Sequence, residues 1–434
     1  MPLQAGARAM PSNSQITGST DAVDIAVIGA GVIGLACAVA LQQAGRRVTV
    51  FDDRGVAGGA SFGTAGLING DAHLPVAMPG MIRHVPRWLR DPHGPVRVRP
   101  GYALRAAPWL LRWVWASRAA QVRRAVPALH ALYRDTFAGY RTLLGKDDHA
   151  RLLHRSGGVV LPREARPGPE ERLAEEMRAM IGLEAEVLDA GRLRELFPGI
   201  GPVATRGLLF PNNGYTLAPD KLVSALYDRF CENGGELRRE RVMKLLPREH
   251  GGMLLTSMAN TPASAVIVAA GAWSRALLDP LRLKIPLETE RGYHLQLGVP
   301  SIPIAIPIIY KARGVAITPM AEGLRLAGTV EIAGLDAAPD ERRALGLRRH
   351  LDELFPGIEA ETKRVWMGHR SSLPDSVALI DRMPRFSWLY AALGHGHDGM
   401  IGAPATGRLI AELVTGAKPH IDPAPYGVRR FLRG

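Results

Sequence analysis

With 434 residues, 47% hydrophobic and 22% charged, the chain is long enough for two buried cores and has the composition of an ordinary water-soluble globular protein. Its 54 basic residues against 41 acidic give a formal charge of +13, but no nucleic-acid recognition motif accompanies the charge, so nucleic acid is set aside as a partner. Cys37 and Cys231 are the only cysteines, which excludes a disulfide scaffold and fits a reducing, cytoplasmic compartment; no Cys/His cluster has metal spacing, and no NTPase or hydrolase motif occurs.

Residues 1–21 lack the apolar core of a secretory signal and read as a disordered leader. A buried parallel strand is expected over 25–28 (IAVI), a helix over 32–44 and a second strand over 48–51, ending at Asp52 and Asp53. Between the first strand and the helix stands Gly29-Ala30-Gly31-Val32-Ile33-Gly34. Gly29 permits a tight turn, Gly31 lets backbone approach a pyrophosphate, and Gly34 lets strand and helix pack closely. The helix start, at Val32 and Ile33, offers unpaired N–H groups to phosphate. Asp52, eighteen residues beyond Gly34, is placed to accept from a ribose 2′-hydroxyl, which favours FAD or NAD over NADP.

A small-residue loop at 58–70 follows, then Pro-interrupted helices to about 150. Residues 83–124 hold ten arginines against one acid, Asp91, and four of the seven tryptophans: Trp88, Trp109, Trp113 and Trp115. The mixture suits a surface lying on an anionic bilayer, and equally a solvated arginine face over an ordinary core. Further on, strands are expected at 156–161, 207–210, 237–246, 253–258 and 265–269, with helices at 169–180, 190–197 and 219–233. Alternation over 286–330 suggests an antiparallel sheet, 339–354 a helix, and 389–393 a strand leading through the loop Gly394–Gly399 into a helix over 400–414.

In order, these pieces resemble the FAD-dependent amino-acid oxidoreductases of the D-amino-acid oxidase and glycine oxidase superfamily, most closely bacterial D-amino-acid dehydrogenases. The resemblance is carried by the glycine turn, the Gly59–Leu67 loop, Phe210-Pro211-Asn212, Val268–Ser274, Arg291-Gly292-Tyr293, Gly314–Glu331, Gly368-His369-Arg370 and the late glycine loop. It implies an α/β fold: a Rossmann-like, GR2-type FAD-binding domain (22–79, 207–275, 372–434) and an α+β substrate domain on a mainly antiparallel sheet (80–206, 276–371). The late loop, with Gly394, Gly396, Gly399, Met400 and Ile401, supplies a second anchor for an isoalloxazine ring, so FAD is expected rather than NAD. By the same resemblance Ser61, Ala65, Gly66 and Leu67 lie along the ribityl chain and ring, Val242 holds adenine through its backbone, and Ala270 and Gly271 complete the site. The 60–66 loop lacks histidine and no cysteine follows Cys231, so non-covalent FAD is expected.

Arg370 matches the superfamily arginine that grips the substrate carboxylate, although Ser371 stands where the family has proline. Tyr293 could add a hydroxyl or wall the pocket, and His397 could reach substrate or the flavin N5 edge. Tyr310 and Glu331 are weaker candidates. The resemblance implies oxidative deamination of small D-amino or imino acids by hydride transfer to flavin N5, with a quinone or other non-NAD acceptor. An oxygen-using oxidase of glycine, sarcosine or cyclic imino acids, or a flavin subunit of a larger dehydrogenase, stands as the alternative. The implied place is the cytoplasm, with peripheral attachment to the membrane if residues 83–124 touch it.

Overall fold

A computed structural model describes residues 22–70, 74–85, 91, 94–163 and 166–432. The expected leader and Trp88 lie outside the described residues.

Two large sheets organise the chain. In the first, strands Glu236–Arg238, Val48–Phe51, Val23–Ile28, Asn260–Val268 and Leu389–Leu393 run parallel in that spatial order, with Leu379–Arg382 antiparallel at the edge. The central strands are mostly apolar over the stretches that pair, as in Ile25–Ile28 and Ala265–Val268, because both faces of the parallel sheet are buried there. Strand Asn260–Val268 also opens into an antiparallel meander with Gly252–Thr256 and Val242–Pro247. Helix Val32–Gln43 is nearly hydrophobic all round, and helices Pro219–Glu232 and Gly399–Thr415 pack on it. The close crossing with the late helix depends on Gly407, where a Cβ would stand 2.5 Å from the Ala36 carbonyl oxygen.

The second sheet runs Thr362–Ser372, Glu288–Leu297, Gly323–Ile332, Val315–Met320, Ile308–Tyr310, Gly158–Leu161, Arg206–Phe210 and Glu186–Asp189, with Val96–Val98 paired to the end of Gly323–Ile332. It is antiparallel except at two pairs, Ile308–Tyr310 with Gly158–Leu161 and Val96–Val98 with Gly323–Ile332.

Several expectations are corrected. Strand Arg206–Phe210 belongs to the second sheet, not to the nucleotide unit. Helices Ala119–Tyr133 and Thr136–Leu144, placed by sequence with the substrate unit, send Leu129, Leu132, Tyr133 and Tyr140 into the core around helix Val32–Gln43. The long strand expected over 237–246 is two strands, because the first joins the parallel edge and the second the meander. The helix over 339–354 breaks at Gly346 into Arg342–Leu345 and Arg348–Leu354. Of the two cysteines, Cys37 is buried and Cys231 exposed. The 58–70 loop is not wholly superficial: Gly63, Ile68 and Asn69 are buried.

Candidate functional site

One cavity of about 790 Å³ runs from the glycine turn, between the two sheets, to the late loop. At its first end the turn behaves as its residue types require. Gly29 sits at φ +116°, and a Cβ there would lie 2.4 Å from the Ala269 carbonyl oxygen. A Cβ on Gly34 would lie 1.8 Å from the Gly29 carbonyl oxygen, so only glycine lets the helix start this close to the strand. Gly31, Val32, Ile33, Ala270 and Gly271 line the same end.

Ser61 lines the cavity at the helix start, where its hydroxyl accepts from the Val32 N–H at 3.0 Å. Asp52 lines the cavity but spends most of its acceptor capacity on backbone, taking Ala30 N–H at 2.8 Å, Arg54 N–H at 2.8 Å and Gly55 N–H at 3.0 Å. It therefore fixes the turn as well as facing the cavity. Asp53 is half-exposed and faces Arg241 at 3.9 Å. Ala65, Gly66, Leu67 and Val242 line the cavity; Gly66, at φ +71°, accepts from Thr216 N–H.

At the other end, Gly394 and Gly396 take left-handed backbone, and Gly399, Met400 and Ile401 open the helix Gly399–Thr415 onto the cavity. Its first-turn N–H groups make this a place for negative charge. His395 is buried behind it, with Nε2 at 2.8 Å from Thr406 Oγ1, and burial lowers its pKa to about 4.

These features fit FAD. Two helix N-termini face one elongated cavity from segments some 370 residues apart in the chain, and the approach surfaces are backbone that a Cβ would block. Among the described residues no group of His, Cys, Asp and Glu could hold a metal ion.

Arg370 projects from strand Thr362–Ser372 onto the cavity. The neighbouring strand leaves room for it: a Cβ on Gly292 would lie 2.1 Å from the guanidinium carbon. Its Nη1 donates to the Thr329 carbonyl at 3.0 Å, and no carboxylate lies within ion-pair distance among the described residues. Thr329 has φ +58°, a rare conformation for a β-branched residue, and its own buried hydroxyl has no hydrogen-bond partner. Burial lowers the Arg370 pKa while Glu290 and Asp398 oppose the shift, so the group stays cationic.

His397 and Tyr293 line the cavity, with His397 Nε2 and the Tyr293 hydroxyl each bonded to a carboxylate. His397 Nε2 is 3.0 Å from Glu290 Oε2, which also accepts from Ser372 Oγ at 2.8 Å. Burial alone would raise the Glu290 pKa; His397, Ser372 and Arg370 together hold it below the usual carboxylate range. Tyr293 donates to Glu331 Oε2 at 2.6 Å and accepts from Asp340 N–H. Glu331 is the hub of an ion cluster with Arg99 and Arg291, and Tyr310 bonds Glu353, so neither faces the cavity. Of the two readings of Tyr293, hydroxyl to a ligand or wall of the pocket, these bonds favour the wall. Glu290, Thr329 and Lys311 escaped sequence reasoning. Strand Glu288–Leu297 carries Glu288, Glu290 and Arg291 yet is buried throughout, and the available signal was this cluster of charges next to Arg291-Gly292-Tyr293, since buried charges need partners.

The family model for FAD dependent oxidoreductases (DAO) matches residues 24–413. The chain belongs to this family of FAD-dependent oxidoreductases. A D-amino-acid oxidase from Bradyrhizobium diazoefficiens is 34% identical over 421 residues, covering 94% of this chain and 99% of the relative. D-amino acid dehydrogenase 1 of Mesorhizobium japonicum is 28% identical, covering 95% and 100%. Among solved structures, glycine oxidase from Geobacillus kaustophilus superposes with a TM-score of 0.72 at 24% identity, covering 94% and 99% of the two chains.

Proposed function

We propose that the protein oxidises small D-amino acids to imino acids, which water hydrolyses to keto acid and ammonia. The observation that carries this reading is Arg370, a cavity-facing cation without a carboxylate partner, held beside an orphan hydroxyl in a family of FAD-dependent oxidoreductases. One N–H is spent on Thr329, so the guanidinium keeps donors for both oxygens of a carboxylate. That grip fixes the substrate's orientation, and the Thr329 hydroxyl can accept from the amine. FAD held non-covalently would supply the electron-accepting centre that takes hydride from Cα. His397 and Glu290 position the late loop against the second sheet; no base is needed when the amine arrives neutral. The relatives' names support the D series.

Those names divide between oxidase and dehydrogenase, so the acceptor rests on a different observation. Helix Ala103–Ala116 leaves Leu104 90%, Leu111 71% and Trp115 49% exposed, beside exposed Arg105, Arg112 and Arg118. Its first turn holds no acid. An apolar stripe rimmed by arginine is complementary to an anionic bilayer, where a quinone would be the available acceptor. No helix among the described residues is long and apolar enough to cross a membrane; the contact proposed here is one of surface attachment.

Anaerobic mixing of the yellow holoprotein with paired D- and L-amino acids tests the reading. Bleaching by D-enantiomers is expected, with electrons passing to a quinone analogue faster than to dioxygen. Bleaching confined to L-enantiomers, or absent with every amino acid, overturns it; stoichiometric peroxide release instead favours the oxidase alternative.

A further inference from the structure

Beyond Arg370, the cavity holds a second cation that the reaction leaves unused. Lys311 follows strand Ile308–Tyr310 and lies on the cavity wall with Ile309, two residues before it and so on the same face of the sheet. Its backbone N–H donates to the Leu161 carbonyl, but among the described residues its side-chain ammonium has no hydrogen bond and no carboxylate within 4 Å. Glu170 and Glu171 attract it from a distance, and Glu171 is already paired with Arg206. Of the carboxylates lining the cavity, Asp52, Asp53 and Glu240 stand at the glycine-turn end, while Asp398 precedes the late helix. Arg163, two residues beyond the strand that pairs with Ile308–Tyr310, lines the same wall and adds positive potential.

The sheet register relates the two cations. Tyr310 pairs with Val315, and Val315 with Gly328, so Lys311 and Thr329 emerge at the same end of their strands, two strands apart. Strand spacing makes that separation roughly 10 Å between backbones, a span that a short molecule with a carboxylate at each end can bridge to reach the guanidinium resting on Thr329. The floor between is small: Gly314, Ala316, Ala327 and Gly328 all line the cavity. Two separated cations over a floor made largely of small residues, with no carboxylate of its own, match the two ends of a short diacid.

We propose that the preferred substrate is an acidic amino acid of about four or five carbons, its α-carboxylate on Arg370 and its side-chain carboxylate on Lys311. This rests on the amino-acid reading above and adds its substrate class. Burial lowers the Lys311 pKa, a cost that a bound carboxylate offsets.

The test compares D-glutamate with its neutral isostere D-glutamine, and D-aspartate with D-asparagine, on the holoprotein. In the native protein the acidic member is expected to show the higher kcat/KM, and in Lys311→Met the acid-to-amide ratio falls about thirtyfold or more, with Lys311→Arg restoring part of it. A second readout needs no turnover: glutarate should perturb the oxidised flavin spectrum at lower concentration than butyrate, and that difference should vanish in Lys311→Met. A native ratio at or below one, with D-glutamine still bleaching the flavin, overturns this inference alone. A ratio unchanged by Lys311→Met in a variant with normal flavin content overturns the role of Lys311. Failure of all four to bleach a flavin that another small D-amino acid does bleach also overturns this inference alone, whereas failure of every amino acid sinks the amino-acid reading itself.

Discussion

At the residue scale the site turns on how a cation is left unpaired without leaving the chain. Arg370 is accommodated by the missing side chain of Gly292 and steadied by one carbonyl, so its energy is available to a ligand. Gly292→Ala places a methyl where the guanidinium lies, but at ordinary extended backbone. The guanidinium is the mobile end of its side chain and can yield. We expect KM for D-amino acids to rise about tenfold or more while the melting temperature moves little, because the loss is one of positioning. Steady-state kinetics beside thermal unfolding checks this; unchanged KM would place the carboxylate elsewhere. The motif Gly368-His369-Arg370 was legible as sequence, and so was Arg291-Gly292-Tyr293. Their juxtaposition was not, because the cross-strand pairing of Gly292 with Gly368 depends on register between segments far apart in the chain. The carboxylates that engage His397 Nε2 and the Tyr293 hydroxyl, Glu290 and Glu331, were not legible for a related reason: they lie far away in the chain and are brought near by strand pairing.

Elements carry the cofactor end. The strand, turn and helix over 23–43 could be read directly, since local periodicity and glycine spacing determine them. Leu389–Leu393 was read to the residue, and the late helix to within one at each end, for the same reason. Strand Thr362–Ser372 was missed as an element because its mixture of Lys, Arg, Trp, Gly and Ser has no clean period of two; pairing with Glu288–Leu297 supplies the order. Gly34→Ala is expected to yield protein without bound flavin, because its Cβ would meet backbone, not a yielding side chain. The ratio of flavin to protein absorbance after purification measures this, and full occupancy would contradict it. On helix Ala103–Ala116, Leu111→Glu puts a charge into the exposed apolar stripe. Binding to anionic vesicles should weaken by about tenfold in sedimentation assays, more at low salt than high. Equal binding by native and variant protein would assign that face to solvent.

For the molecule as a whole, two sheets clasp one cavity, and several histidines are buried neutral around it. Burial lowers the pKa of His294 to about 3 and those of His395 and His369 to about 4. Unfolded, each takes a proton near pH 6.5, whereas the folded chain refuses it until far lower pH. Stability is therefore full above about pH 6.5 and falls as pH drops toward 4, by roughly 3 kcal/mol for His395 at the lower end. Urea unfolding at stepped pH should show this slope, reduced in His395→Gln; stability that holds or rises on acidification would contradict it. The partition into two units was legible in outline, but not the assignment of helices Ala119–Tyr133 and Thr136–Leu144, whose apolar faces fit either core until packed.

The most direct measurement is the anaerobic rate of flavin bleaching by a D-amino acid in native and Arg370→Met holoprotein of equal flavin content. Loss of the carboxylate's partner should slow bleaching at low substrate by about a hundredfold or more. Native-like bleaching in the variant would contradict the account.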